Sequence, residues 1–333
     1  MMRYIGFFRK MALLFMLASA VSCDVHEWPE APEKEQFVLK LIFDTDFIKK
    51  EYECTGSNVA ATGIQSTTDG ELGRGYMHYV VRAFPMINGV PQQRYFDEFV
   101  FSRSVMLGYD CELPVDLAPG NYRVMIWSYI SEQESGRSFY DSDDFGDIRL
   151  WGTHVANTDY RDAFRGTTDI LVESHISTHI SESQWVMMER PLSKYEFVAT
   201  DLQAFLQKHG GSADDYEAVI RYTAFMPCAY SIYIDKPVDS STGVSYRSIL
   251  RAGSSETSLG FDYVFVNGTE SAVTVQIEFH RRSDDSVLSR TSTVRVPLRR
   301  GVHTLIRGPF FMGSTGGVGV NPGYDGDNNI FIN

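Results

Sequence analysis

His175 and His179, four residues apart with Glu173 and Glu182 nearby, are the first residues that could do chemistry. On a helix that spacing would set both imidazoles over one metal ion. The stretch Ile170 to Ile180 alternates apolar and polar side chains instead, which predicts a strand. Four strand residues span ~13 Å, too far for one ion, so the pair reads as part of a solvated strand face. Asp141, Asp143, Asp144 and Asp147 invite calcium. Counted from Asp141 as an EF-hand loop, Phe145 and Gly152 fall where oxygen ligands are required, and the motif fails. Asp325 to Asn329 fails similarly, because Ile330 stands where glycine is needed. Gly313 to Gly326 is glycine-rich but has no lysine in P-loop position and follows no βα unit. The chain has no G-x-S-x-G elbow, no H-E-x-x-H and no cysteine with a catalytic partner in view. Carboxylate pairs of the glycosidase kind are separated in sequence, and nothing marks one here. The expectation is a protein that is not an enzyme, with no catalytic residues, no metal and no cofactor.

One cysteine is placed for chemistry of another kind. Arg3, Arg9 and Lys10 precede the apolar run Met11 to Val21. A spanning helix needs ~20 apolar residues, so this shorter run reads as an export signal. Ser19, Ala20, Val21 and Ser22 lead directly into Cys23. The pattern resembles the bacterial lipobox, in which small residues precede a cysteine that is acylated and becomes the mature N-terminus. Alanine stands at position 20 where leucine is commoner, and a plain signal peptide cleaved near Ser22 is the alternative. Each buried acyl CH₂ contributes ~0.8 kcal/mol, so two or three chains would hold a soluble body durably at a membrane.

The net charge is −13, and removing the three cations of the signal takes it to −16. So acidic a surface argues against nucleic acid and against adsorption to anionic lipid, which leaves the anchoring to an acyl group. Cys54, Cys111 and Cys228 match no zinc spacing. A Cys54–Cys111 disulfide and three buried thiols are both open readings.

These residues must be positioned by strands. Aromatic residues make up 13% of the chain and favour sheet over helix. Asp24 to Glu35 is acidic and proline-containing and reads as a tether. Strand signals follow at Phe37 to Phe43, Met77 to Phe84, Phe96 to Ser102, Ile170 to Ile180 and Trp185 to Met188. Leu117 to Ile130 reads as a hairpin turning at Pro119-Gly120. Beyond the turn Tyr122, Val124, Ile126 and Ser128 share one face, and Arg123, Met125, Trp127 and Tyr129 the other. Ser131 to Asp147 and Gly152 to Thr168 read as long loops, the usual place for recognition.

Arg190-Pro191 interrupts the pattern and marks a boundary. Asp201 is expected to cap one short helix that buries Leu202, Phe205 and Leu206. Later strand signals lie at Tyr216 to Phe225, Ala229 to Asp235, Leu259 to Val266, Ala272 to His280, Val287 to Val296 and Val302 to Phe311. Asn267-Gly268, between two of these runs, predicts a type I′ hairpin. Loop aromatics Phe139, Tyr140, Trp151 and Tyr160 could stack on sugars, or serve as satellite core.

Several stretches carry a family resemblance: Ser22 to Glu30, Pro119 to Trp127, Glu189 to Asp201, Ala224 to Asp239, Leu259 to Asn267 and Val318 to Ile330. They are similar to Bacteroidales surface lipoproteins related to the anchor and accessory subunits of fimbriae. The resemblance implies a mostly β chain of two tandem antiparallel, transthyretin-like β-sandwich domains with one short helix. It implies an acylated cysteine, carried over to Cys23, and no enzymatic activity.

The expected organisation is a lipoprotein signal peptide over 1–22, an acidic tether over 23–36, and sandwich domains over 37–190 and 191–333. The expected function is that of an outer-membrane, lipid-anchored fimbrial anchor or accessory subunit at the cell surface. Its partners would be fimbrial stalk or accessory subunits, met by completing a neighbour's sheet. Val302 to Phe311 and Ile330 to Ile332 are the candidate donor or acceptor elements. The alternative is a surface lipoprotein that captures glycan or another host ligand through Tyr140, Asp141, Asp143 and Trp151.

Overall fold

Side chains alternate between interior and solvent along most of the chain, as β1 shows by burying Phe37, Leu39, Leu41 and Phe43 in turn. The computed structural model describes residues 33–44, 47–55, 58–67, 75–174, 182–251, 256–312 and 319–320. In the first half the strands are β1 (Glu35–Phe43), β2 (Phe47–Thr55), β3 (Asn58–Thr67), β4 (Tyr76–Ile87), β5 (Val90–Pro91) and β6 (Asp97–Ser104). They continue with β7 (Cys111–Leu117), β8 (Gly120–Ser131), β9 (Tyr140–Asp141), β10 (Ile148–Leu150), β11 (Ala163–Val172) and β12 (Glu182–Met188). After β13 (Leu192–Ala199) comes helix α1 (Leu202–His209). Then follow β14 (Tyr216–Tyr222), β15 (Met226–Ser231), β16 (Lys236–Ser241), β17 (Ser245–Ile249) and β18 (Thr257–Phe265). The last are β19 (Glu270–Arg281), β20 (Ser286–Arg290), β21 (Val294–Arg299), β22 (Val302–Gly308) and β23 (Gly319–Val320).

The protein is mostly β, and its sheets pack face to face. In the first sandwich the sheet β12-β1-β7 covers the sheet β11-β8-β4, with β6 beside β4. Leu39, Leu113 and Val186 of one sheet meet Tyr79, Val81 and Ile126 of the other. In the second, β18-β13-β22-β2-β3-β23 covers β17-β14-β19, with β20 and β21 beside β19. Phe197, Val264 and Ile306 pack there against Ile220, Val275 and Ile277. Most pairings are antiparallel; β1 with β12, β13 with β22, β2 with β22 and the short β3 with β23 are parallel. Parallel neighbours need long crossovers, and here the crossovers travel through the opposite sheet.

A third core lies where the two sandwiches meet. Val80, Phe84, Met125 and Trp127, on the outer face of β4 and β8, pack with Tyr230, Tyr263 and Phe265. Tyr140, Phe145 and Ile148 join them from the small sheet β16-β15-β10-β9. So β8 buries both of its faces, divided between residues as its alternation predicts. Trp127 is fully buried and meets Tyr140 edge to face at 5.5 Å.

Two expected hairpins are not hairpins. The Pro119-Gly120 turn carries the chain from β7, paired with β1, to β8, paired with β4 and β11. Ala118 is buried at this arch and its carbonyl accepts the Tyr122 hydroxyl at 2.9 Å. Asn267-Gly268 likewise links β18 and β19, which lie in different sheets, and only Gly268 of the pair has positive φ. A turn dipeptide reverses the chain, but burial on both sides of it decides whether the next strand pairs or crosses over. The I′ turn sits at Asn88-Gly89, with φ of 54° and 78°, joining β4 to β5. Residues 163–168, expected as loop, belong to β11.

Helix α1 forms where expected and buries Leu202 and Phe205. Asp201 stands at its N-cap, yet its carboxylate turns away from the helix. It accepts the backbone N–H groups of Phe311 and Met312, at 3.3 and 2.8 Å. Phe205 stacks on Phe311 at 4.7 Å, so the helix seats on the chain leaving β22.

Buried charge ties the sandwiches together. Asp262 of β18 is fully buried and accepts from Arg161, from the Tyr222 hydroxyl at 2.6 Å and from His154 at 2.7 Å. Burial alone raises its carboxyl, but Arg161 and His154 outweigh that and hold it below the usual range. Within the first sandwich, Arg190 donates to Asp162 at 2.9 Å and to the Asp44 carbonyl at 3.0 Å. Arg165 and Arg300 converge on Asp235 at 2.9 and 2.8 Å, and Tyr230 donates to the same carboxylate.

Candidate functional site: an open sheet edge and the acidic loop

Of the two candidate pairing elements near the C-terminus, Val302 to Phe311 is not one. Its strand, β22, lies between β13 and β2 and is hydrogen-bonded on both sides, so it has no edge to offer. Ile330 to Ile332 falls outside the described residues.

The edge has moved two strands outward. β2 leaves the first sandwich and runs parallel to β22, from Ile48 beside Val302 to Glu53 beside Arg307. β3 then turns back along β2, from Thr55 and Asn58 to Phe47 and Thr67, with one irregularity between Glu51 and Tyr52. Tyr52 is the hairpin's anchor in the second core and is 6% exposed. Glu51 accepts Arg307 at 3.0 Å across the β2–β22 seam.

The outer side of β3 is ten residues long, and β23 covers two of them, pairing Gly319 with Asn58 and Val320 with Val59 in parallel. That short pairing demonstrates the chemistry of the edge: backbone N–H and C=O groups in strand geometry that accept another strand.

The acidic loop is organised by Arg82 of β4. Its guanidinium donates to Glu98 at 2.6 Å and to the carbonyls of Ser142 and Asp143 at 3.1 and 3.0 Å. It lies between the Tyr95 and Phe145 rings, at 4.9 and 4.3 Å. Asp141 and Asp144 accept local backbone N–H groups of Asp143 and Gly146, and Asp147 pairs with Arg149 at 2.6 Å. Among the described residues no three His, Cys, Asp or Glu side chains are grouped to hold a metal ion. The carboxylates shape the loop.

The loop aromatics divide. Tyr140 is 1% exposed and its hydroxyl donates to the Arg161 carbonyl at 2.8 Å, so it takes the core alternative and offers no ring face to a sugar. Trp151 is 56% exposed. Asp143 is exposed and Asp141 half-buried. Tyr95 and Tyr233, which the sequence did not single out, are exposed while both contact the buried Phe84 edge to face. Their signal was weak: both sit in turns far apart in the chain, brought together by packing on one ring.

Cys111 is a free, buried thiol and Cys228 a free, half-buried one, so the Cys54–Cys111 pairing is not formed. Burial pushes the Cys111 thiol up. Cys23, His175 and His179 fall outside the described residues. No helix among the described residues is long and apolar enough to cross a membrane.

The described residues form two packed sandwiches, the second of which ends at the β3 edge with its two-residue β23 pairing. A model of a family of unknown function, DUF6562, matches residues 65–332, and the chain belongs to that family. No curated protein matches it. Among solved structures it is similar to a candidate adhesin from Bacteroides ovatus, at 14% identity and a TM-score of 0.45, covering 88% of this chain and 94% of that one. The fimbrial anchor protein Mfa2 from Porphyromonas gingivalis is similar at 12% identity and a TM-score of 0.38, covering 73% and 82%. A fimbrial assembly protein from Parabacteroides distasonis is similar at 12% identity and a TM-score of 0.38, covering 82% and 90%.

Proposed function

We propose that this is a lipid-anchored outer-membrane protein that anchors or accompanies a fimbrium, acylated at Cys23 and built of two sandwich domains that divide near residue 190, except that the β2–β3 hairpin of the first stretch joins the second sandwich. The observation that carries the reading is the outer edge of β3, which among the described residues is paired only over two positions, by β23, and so offers a strand edge of the kind a neighbouring subunit can extend. The ion pairs Arg161–Asp262 and Arg165–Asp235, which cross between the sandwiches, support it, because a subunit under tension must not come apart at its middle. Deleting the protein is expected to release fimbriae into the medium or change their length; cell-bound fimbriae of unaltered length would refute the role. A proline in β3, as in Gln65→Pro, should reproduce the release while the protein stays folded and membrane-bound.

The exposed Trp151, Tyr95 and Tyr233 beside the Arg82-held loop favour a second reading, capture of a glycan at the cell surface. Binding on a glycan array that Trp151→Ala and Tyr95→Ala both leave untouched would dismiss these residues as its site.

A further inference from the structure

The outer face of β12-β1-β7 has no partner among the described residues and sets large apolar side chains among its polar ones. Trp185 and Met187 of β12 stand 61% and 53% exposed. In register, Trp185 lies beside Lys40 of β1 and Met187 beside Ile42, while Val38 lies beside the exposed Pro114 of β7. The Lys40 ammonium sits 5.4 Å from the centre of the Trp185 ring and 3.7 Å from Glu112. The patch therefore combines an amphipathic indole, aliphatic side chains and a lysine whose charge a carboxylate offsets.

We propose that this face rests on the headgroup layer of the membrane, on zwitterionic lipid. The proposal depends on acylation of Cys23, part of the function proposed above. Cys23 stands twelve residues before Glu35, the first residue of β1. Twelve extended residues reach at most ~40 Å, so an acyl chain at Cys23 keeps this sheet within that distance of the bilayer. Indole rings favour the zone between headgroup and hydrocarbon, and a neighbouring lysine stem extends along the same boundary. Lys40 is offset by Glu112, and exposed Asp116 beside Gln36 leaves the face one net negative charge, which neutral lipid does not repel as anionic lipid would.

The test uses the full lipoprotein, purified in detergent and reconstituted into phosphatidylcholine vesicles containing bromine-labelled lipid. Wild-type tryptophan emission is expected to be quenched, and Trp185→Phe to lose that part of the quenching, with Trp151 emission unchanged. Equal quenching in both proteins overturns the inference. So does protection of Trp185 by a co-purifying subunit, which would make the face a protein interface. Labelled palmitate reports separately on acylation. Palmitate incorporated without Trp185-dependent quenching refutes this inference alone, whereas no palmitate in the wild type refutes the lipid anchor and this inference together.

Discussion

At the residue scale, the sites of greatest energetic consequence are buried charges. Asp262 neutralises Arg161 in a site that excludes water. Asp262→Ala leaves that guanidinium buried without its carboxylate, which should cost about 3–5 kcal/mol of stability, read as a lowered denaturation midpoint. Trp151→Ala, at an exposed ring, should change stability by no more than ~0.5 kcal/mol while removing a candidate ligand contact. His78 provides the pH dependence. It is buried, its Nε2 lies 2.7 Å from the Ser131 hydroxyl, and desolvation lowers its pKa from 6.5. Well above pH 6.5 the ring is neutral folded and unfolded, and contributes no pH slope. As pH falls below 6.5 the unfolded chain takes up the proton first, so stability declines towards the lower folded pKa. Urea denaturation from pH 7.5 down to 5 should show that decline, and His78→Asn should flatten it.

At the element scale, the β2–β3 hairpin is the piece whose place the rest depends on. It starts from β1 in the first sandwich and ends as the outermost long strands of the second. Its described hold on that core is one side chain, Tyr52. Tyr52→Ala should cost about 3 kcal/mol locally and loosen the hairpin. The expected signature is faster hydrogen exchange at β22 amides, which lose the shelter of β2, with the first sandwich unaffected. Helix α1 makes the opposite case: Phe205 is fully buried against Phe311 and Phe279, and Phe205→Ala should lower the global denaturation midpoint by the equivalent of about 3–5 kcal/mol.

At the scale of the whole molecule, the two sandwiches share a hydrophobic interface and two ion clusters, Arg161 and His154 on Asp262 of β18 and Arg165 and Arg300 on Asp235. Such a joint is rigid, since separating it exposes aromatic rings and strands charges at once. Unfolding should therefore be a single cooperative transition, and calorimetry would resolve two peaks only if the interface were weak. A membrane fraction that holds wild-type protein but releases Cys23→Ala would support the anchor at the same scale.

The sequence by itself determined that the chain is mostly strand, where most strands and the helix lie, and which β8 residues share a face. Those properties follow from local alternation and turn chemistry. Cys23 is a sequence argument too, because acylation is directed by a linear signal. Only the tertiary structure decided which strands pair. Pro119-Gly120 and Asn267-Gly268 look like hairpin turns and are sheet-to-sheet arches, and Val302 to Gly308 looks terminal and is central. Strand pairing is made by contacts distant in sequence, so no local pattern records it. Tyr140 and Tyr95 are both aromatic residues in or beside loops, and the structure buries one and exposes the other. What separates them is whether Trp127 and Phe265 close over the ring.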